Sequence, residues 1–223
     1  MSAKPAAVVF DVDGTLVAFK FDVVGTRLAI IAELSRRGFD TSGLGPSTPT
    51  QSLIETAREQ AASGRVRADF SEARDAIYRI LDASEVETGR TATPFPGARQ
   101  TLDYLRTRGL RLGVLTNSGR LAATEILARG GLSDCFEFVL CRDDVEMMKP
   151  RPDGLAMAVS VLGIPKGEVV YVGDSRYDII AAKEAGVRAV GVASGNYSEE
   201  GLRAEGADAV IRSITDLPKL LGV

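Results

Sequence analysis

Apolar positions along the chain fall into two rhythms. Short unbroken runs at Ala7–Val12, Leu110–Leu115, Phe138–Cys141, Val169–Val172 and Ala189–Val192, with a weaker one at Ala209–Ile211, read as strands buried on both faces. Such runs belong to parallel sheets. Between the later runs the spacing turns helical: Ala98, Thr101, Leu102 and Leu105 share one face, as do Leu155, Ala158, Val159 and Leu162. Gly109, Gly163 and Gly186 stand where helix C-termini are expected. Strands alternating with single helices predict an α/β fold, a doubly wound and Rossmann-like parallel sheet.

The first crossover breaks that rhythm. About a hundred residues separate Val12 from Leu110, against about 30 for a whole βαβ unit. The excess reads as three helices. The first carries Val24, Leu28 and Ile31 and stops at Gly38. The second follows Pro49 with Leu53, Ile54 and Ala57 and ends by Gly64. The third carries Ala73, Ile77, Ile80 and Leu81 and ends by Gly89. Residues 18–91 are therefore expected to form a helical domain inserted after the first strand, and 1–17 with 92–223 the α/β core. Val17–Phe21 and Thr91–Pro94 are the expected hinges.

Composition narrows the chemistry. The net charge is −3 and the pI about 5.2, so no general attraction for nucleic acid or an anionic membrane is expected. No stretch approaches the roughly 18 apolar residues of a membrane span. No charged segment or small-residue cleavage site precedes Asp11, so a cytoplasmic location is the expectation. Two cysteines, Cys135 and Cys141, are too few for a zinc site or disulfide framework and read as small apolar residues around a core strand. The chain contains no histidine, which removes Ser-His-Asp and Cys-His catalysis, histidine phosphotransfer and His-containing zinc sites. A Cys-x5-Arg loop is absent as well: six residues after Cys135 comes Cys141, and six after Cys141 comes Met147.

In an open parallel sheet, ligands bind beyond the carboxyl ends of the strands. Those ends here carry Asp11-Val12-Asp13-Gly14-Thr15, then Thr116-Asn117-Ser118, then Gly173-Asp174-Ser175 with Asp178 four residues past Asp174. Carboxylates gathered without histidine or thiolate suit a hard cation, magnesium first. Each segment alone has a plainer reading. Asp-x-Asp-Gly-Thr makes a turn; Asn117 or Ser118 could cap the next helix, as could Asp174 or Ser175, with Asp178 a first-turn acid. Lys149 could be a surface lysine in a proline-punctuated loop, with Pro152 opening a helix. The plain readings do not predict all four segments in this order at strand ends.

Asp11-Val12-Asp13-Gly14-Thr15-Leu16, Thr116-Asn117-Ser118, Lys149-Pro150 and Gly173-Asp174-Ser175-x-x-Asp178 resemble the four motifs of the haloacid-dehalogenase-like hydrolase superfamily. The layout is most similar to its phosphoglycolate-phosphatase-like branch, whose inserted helices form a mobile cap. The resemblance implies that Asp11 is a nucleophile forming an aspartyl-phosphate and that Asp13 is the general acid and then base. It also implies Mg2+ held by Asp11, the carbonyl of Asp13 and Asp174, with Asp178 a ligand or close behind. Thr116, the N–H of Asn117 and Lys149 would hold phosphate oxygens, Lys149 spreading positive charge over the transferred group. Gly14 would let the backbone approach the phosphate.

Dehalogenases of the superfamily lack the acid found here at Asp13, the phosphonate-cleaving branch needs a cap lysine where this insertion has only Lys20, and the sugar-phosphate mutases use a histidine. A phosphatase for a small phosphorylated metabolite, phosphoglycolate first, is the resulting expectation, as a monomer or homodimer. Hydrolysis of pyrophosphate or a nucleotide by the same mechanism is the alternative. A phospho-acceptor signalling domain, for whose acidic pair Asp143-Asp144 could be mistaken but which lacks a long helical insertion and the acid at Asp13, and a non-catalytic scaffold are alternatives of other classes. Lys20 and Arg27 could meet an anionic substrate group, and Gly195, Asn196 and Tyr197 form either a rim contact or a turn.

Overall fold

The computed structural model describes residues 4–18, 21–194 and 197–223. The chain divides into two compact units, Met1–Phe19 with Gly89–Val223, and Lys20–Thr88. Lys20, Gly195 and Asn196, singled out above, lie outside the described residues.

Among the described residues the first unit contains strands β1 (Ala7–Phe10), β2 (Val17–Ala18), β3 (Thr93–Pro94), β4 (Arg111–Leu115), β5 (Phe138–Leu140), β6 (Val169–Gly173), β7 (Arg188–Val192) and β8 (Ala209–Ile211). Six of them form one sheet in the order β5-β4-β1-β6-β7-β8, and every pairing is parallel. The α/β fold and its Rossmann-like sheet are thus as the apolar runs predict. The central strands β1 and β6 are buried throughout, which is why they read as unbroken apolar runs rather than alternating ones.

β1 and β5 end before their apolar runs do, and β4 begins one residue late. β1 ends at Phe10 because the Val12 carbonyl becomes the hub of a turn, accepting from the amides of Thr15, Leu16 and Val17. A ribbon of β2 against β3 was invisible to pattern reading, since two residues carry no period.

The helices α4 (Ala98–Thr107), α5 (Arg120–Arg129), α6 (Asp153–Leu162), α7 (Arg176–Ala185), α8 (Glu199–Ala204) and α9 (Leu217–Leu221) accompany the sheet. α4 buries Ala98, Thr101, Leu102 and Leu105, the face its spacing defines. α6 buries Leu155, Ala158 and Leu162 in one cluster with Ala7, Val9, Leu115 and Tyr171. Its C-cap Gly163 takes the left-handed conformation at φ 63°, where a Cβ would be strained.

The second unit is helical, with α1 (Val23–Arg36), α2 (Thr50–Ala62) and α3 (Phe70–Gly89), the last ending at the residue where the first unit resumes in sequence. α1 buries Thr26, Ile30 and Leu34 and leaves Val24 54% and Leu28 48% exposed. This is not the face expected from Val24, Leu28 and Ile31. α1 is apolar around most of its circumference, so several faces satisfied the pattern, and the hydrogen bond between Thr26 Oγ1 and Ser84 Oγ at 2.8 Å accompanies the orientation adopted.

Leu155 is fully buried at the heart of the sheet's cluster. Leu155→Ala is expected to cost about 2–5 kcal/mol, read as a lower urea midpoint at unchanged slope. A loss within about 0.5 kcal/mol would contradict the packing described.

Candidate active site

The strand order fixes where a site can form. From β1 the chain proceeds to β4 and β5 on one side; from β6 it proceeds to β7 and β8 on the other. The loops leaving β1 and β6 therefore diverge, opening a crevice at their carboxyl ends. Register makes the alignment concrete: Phe10 pairs with Val114 and with Val172, so Asp11, Leu115 and Gly173 follow at one level. The Asp11 amide still donates to Val172 O at 2.9 Å, which ties the first acid to the neighbouring strand.

Lys149 lies at the centre. It is 5% exposed, so the surface-lysine reading fails. Its ammonium donates to Asp11 Oδ1 at 2.7 Å, Asp178 Oδ1 at 2.6 Å and the Tyr171 hydroxyl at 2.8 Å. These three oxygens are the nearest acceptors for its three protons, with the Leu115 carbonyl a longer fourth at 3.4 Å. Asp178 is fully buried. Its Oδ1 also takes the Tyr171 hydroxyl at 2.9 Å, and its Oδ2 accepts from the amide and hydroxyl of Ser175 at 3.0 and 2.6 Å. The capping reading of this segment therefore holds as well, because Ser175 is the N-cap of α7 in a reciprocal box with Asp178. One carboxylate caps a helix and anchors a lysine.

Two glycines make the room. Gly14 has φ +78°, and a Cβ there would overlap the Asp174 carboxylate. A Cβ on Gly173 would overlap Asp178. The turn around Gly14 is closed by its own amide to Val17 O at 2.9 Å and by Ser194 Oγ on Gly14 O at 2.6 Å. Asp11, Asp174 and Asp178 each offer a carboxylate oxygen within 4.8 Å of the others.

On the β4 side, Thr116 is buried and its Oγ1 accepts the Ser118 amide at 3.1 Å, leaving the hydroxyl proton for another acceptor. Neither Asn117 nor Ser118 caps α5, whose N-cap is Gly119 with no side-chain bond. The Asn117 carboxamide instead grips the backbone of Lys149, Nδ2 donating to its carbonyl and Oδ1 accepting its amide, both at 3.0 Å. Asp13 accepts from Ser118 Oγ at 2.5 Å. The acids Asp143 and Asp144 serve elsewhere: Asp143 takes the Arg120 amide at 2.7 Å, and Asp144 pairs with the Arg120 guanidinium. Arg27 donates to Pro46 O within the helical unit.

Sequence reading missed Tyr171, the carboxamide grip of Asn117, the hydroxyl of Ser118 and the buried Arg142, whose Nη1 donates to Asn117 O at 3.0 Å. Signals existed for two of them. Tyr171 is a lone phenol in the aliphatic strand Val169–Gly173, and Arg142 is a charge directly after the buried Leu140-Cys141.

Electrostatics make this an acidic site short of positive charge. Burial pushes the Asp11 carboxyl well up, the Lys149 ammonium opposes that, and Asp178, Asp13 and Asp174 add to it. Asp174 is pushed up to about 7 by burial and then by Asp178, with Lys149 pulling the other way. For Lys149, burial favours the neutral amine, but Asp11 and Asp178 outweigh it and hold the ammonium above its ordinary pKa. Buried carboxylates in excess of cations are costly unless a further cation joins them. An all-oxygen donor set of this kind fits Mg2+.

A family model described as haloacid dehalogenase-like hydrolase matches residues 8–192. A phosphoglycolate phosphatase of Cupriavidus necator is 34% identical over 99% of this chain and 95% of its own. The pyrophosphatase PpaX of Halalkalibacterium halodurans is 29% identical over 97% and 96%. The crystal structure of a hydrolase from Pseudomonas syringae, 24% identical, covers 97% of this chain and 98% of its own at a TM-score of 0.71, and shares the fold.

The pKa of Asp174 sets a pH dependence. An acid whose folded pKa, about 7 here, lies above its unfolded value of about 3.9 holds its proton more tightly when folded. The metal-free protein is therefore expected to lose stability as pH rises from about 4 to about 7, and Asp174→Asn to flatten that fall. Melting temperatures of both proteins in EDTA across this range check it, and parallel curves would count against the assignment.

Proposed function

The chain belongs to the haloacid dehalogenase-like hydrolases and is a phosphatase of that family; from that premise we propose that it hydrolyses a small phosphomonoester, with Mg2+ bound and through a phosphoryl group carried on Asp11. The observation that carries this reading is the buried Lys149 ammonium bridging Asp11 and Asp178 at the sheet's switch point, beside Asp174. It explains why a carboxylate serves as nucleophile: Lys149 fixes its plane, and no histidine is needed to activate it.

Asp11, the Asp13 carbonyl and Asp174 are the residues that would hold Mg2+, with Asp178 set behind them because its oxygens are engaged by Lys149, Tyr171 and Ser175. Bound there, Mg2+ offsets the repulsion between the Asp11 carboxylate and a phosphate dianion. Asp11 attacks phosphorus, and the bond to the leaving oxygen breaks as Asp13 gives that oxygen a proton. Asp13, now a carboxylate, takes a proton from water as the water oxygen bonds to phosphorus and Asp11 leaves. Thr116 Oγ1 and the Asn117 amide hold the equatorial oxygens, and Lys149 stabilises the charge spread over them. Gly14 keeps this edge of the backbone low.

The helical unit Lys20–Thr88 is the proposed cap and the source of leaving-group selectivity, since the core residues named above serve the transferred group. Phosphoglycolate is the first substrate to test, on the strength of the Cupriavidus relative. Pyrophosphate is the second, on the strength of PpaX. The acids Asp143 and Asp144, occupied by Arg120, give no support to a signalling role.

Purified protein with Mg2+ is expected to turn over p-nitrophenyl phosphate and, faster, one of those two metabolites. EDTA should abolish turnover reversibly, and Asp11→Asn should lower kcat about 10³-fold or more. Phosphate release by the Asp11→Asn variant at the wild-type rate would end the proposal.

A further inference from the structure

The hydrogen bond between Ser118 and Asp13 plays no part in the steps above. The two residues lie 105 positions apart, so the bond joins the loop after β1 to the loop after β4. Ser118 is 5% exposed, and its Oγ donates to Asp13 Oδ2 at 2.5 Å. Its backbone is held at both ends: the amide donates to Thr116 Oγ1 at 3.1 Å, and the carbonyl accepts the Arg142 amide at 3.1 Å. The preceding carbonyl, Asn117 O, takes the buried Arg142 guanidinium, while the Asn117 side chain is fastened to Lys149. Only the Ser118 χ1 rotor is left, and it has three staggered choices.

The plainer role for such a serine, capping the following helix, is filled otherwise. Gly119 is the N-cap of α5 without a side-chain bond, and the Arg120 amide goes to Asp143.

We propose that Ser118 is a positioning residue for proton transfer by Asp13, its hydroxyl holding Oδ2 as an acceptor so that the transferable proton is carried on Oδ1. This rests on the acid–base role of Asp13 proposed above. A hydroxyl has one proton to donate. Spent on Oδ2, it makes that oxygen the carbonyl-like one whenever Asp13 is protonated. In the first half-reaction the Oδ1 proton passes to the leaving oxygen as the phosphorus–oxygen bond breaks. In the second, a water proton returns to Oδ1 as the water oxygen joins phosphorus and Asp11 departs. Without Ser118 the carboxyl can rotate, and the proton is shared between a productive and an unproductive oxygen.

Leaving groups separate this role from a merely structural one. A p-nitrophenolate, with a conjugate pKa of about 7, departs without help, whereas an alkoxide, with one of about 15, needs the proton. With full-length protein and Mg2+, kcat/KM is measured for p-nitrophenyl phosphate and for ethyl phosphate, because this parameter reports the first half-reaction alone. Ser118→Ala is expected to lose about tenfold more on ethyl phosphate than on the aryl ester, and Asp13→Ala more still. Ser118→Thr, which keeps the hydroxyl, should restore the wild-type ratio whatever its melting temperature. Equal losses on both esters in Ser118→Ala, with the split intact in Asp13→Ala, overturn the positioning role alone. Equal losses in Asp13→Ala overturn the acid–base reading and this inference with it.

Discussion

One buried ammonium among carboxylates organises this site. Lys149 donates to Asp11, Asp178 and Tyr171 at once, and each acceptor comes from a different part of the sheet edge: the end of β1, the start of α7 and the body of β6. A charge pair removed from water survives only with near-complete hydrogen bonding, and here the lysine's three protons face those three oxygens, with the Leu115 carbonyl a more distant fourth. The Asn117 carboxamide fastens the lysine's backbone, so its side chain and main chain are held separately. The same contacts fix the Asp11 carboxylate, since its Oδ1 cannot turn away without leaving the ammonium short of an acceptor.

Topology supplies the rest. Because β1 lies between β4 and β6, three loops distant in sequence emerge side by side, and the parallel register brings them level to within a residue. Gly14 and Gly173 then convert proximity into contact, each giving up a side chain exactly where a neighbouring carboxylate lies. Interruption of the chain between β1 and β4 by the helical unit leaves this register intact, because the pairing of β1 with both neighbours is set within the sheet. Long insertions are tolerated at such a loop, the entropic cost of closure growing only slowly with length.

Much of this was legible in the amino-acid sequence, and the division is physical. Strand interiors buried on both faces must be apolar, so the sheet announced itself, and polar residues ending those runs marked the candidate site: Asp11, Asp13, Thr116, Asp174. Lys149 could be found by its order along the chain, yet its burial could not, because Pro150 and Pro152 are equally at home in an exposed loop. What stayed hidden were contacts whose partners are set by three-dimensional aim alone. Asn117 reads as a helix cap and proves to be a clamp on Lys149. Tyr171 reads as one more core residue, and its hydroxyl meets the ammonium. The buried face of α1 was lost for the opposite reason, since an excess of apolar residues leaves the period undecided.

Charge decides how such a site can take a phosphate at all. The chain carries a net −3, so no long-range field draws a dianion in. Locally, Asp11 and Asp178 share one ammonium, and Asp13 and Asp174 add further negative charge around Asp11. A phosphoryl group entering alone would meet repulsion from the carboxylate proposed to attack it, and burial favours the protonated form of Asp11. Both problems have one remedy in a divalent cation, which lowers the pKa of the buried acids and neutralises the approaching dianion. The amides and hydroxyls on the β4 side then add direction without adding charge. On the proposed reading, the same excess of acid couples cation to phosphate, each relieving the repulsion the other would face alone.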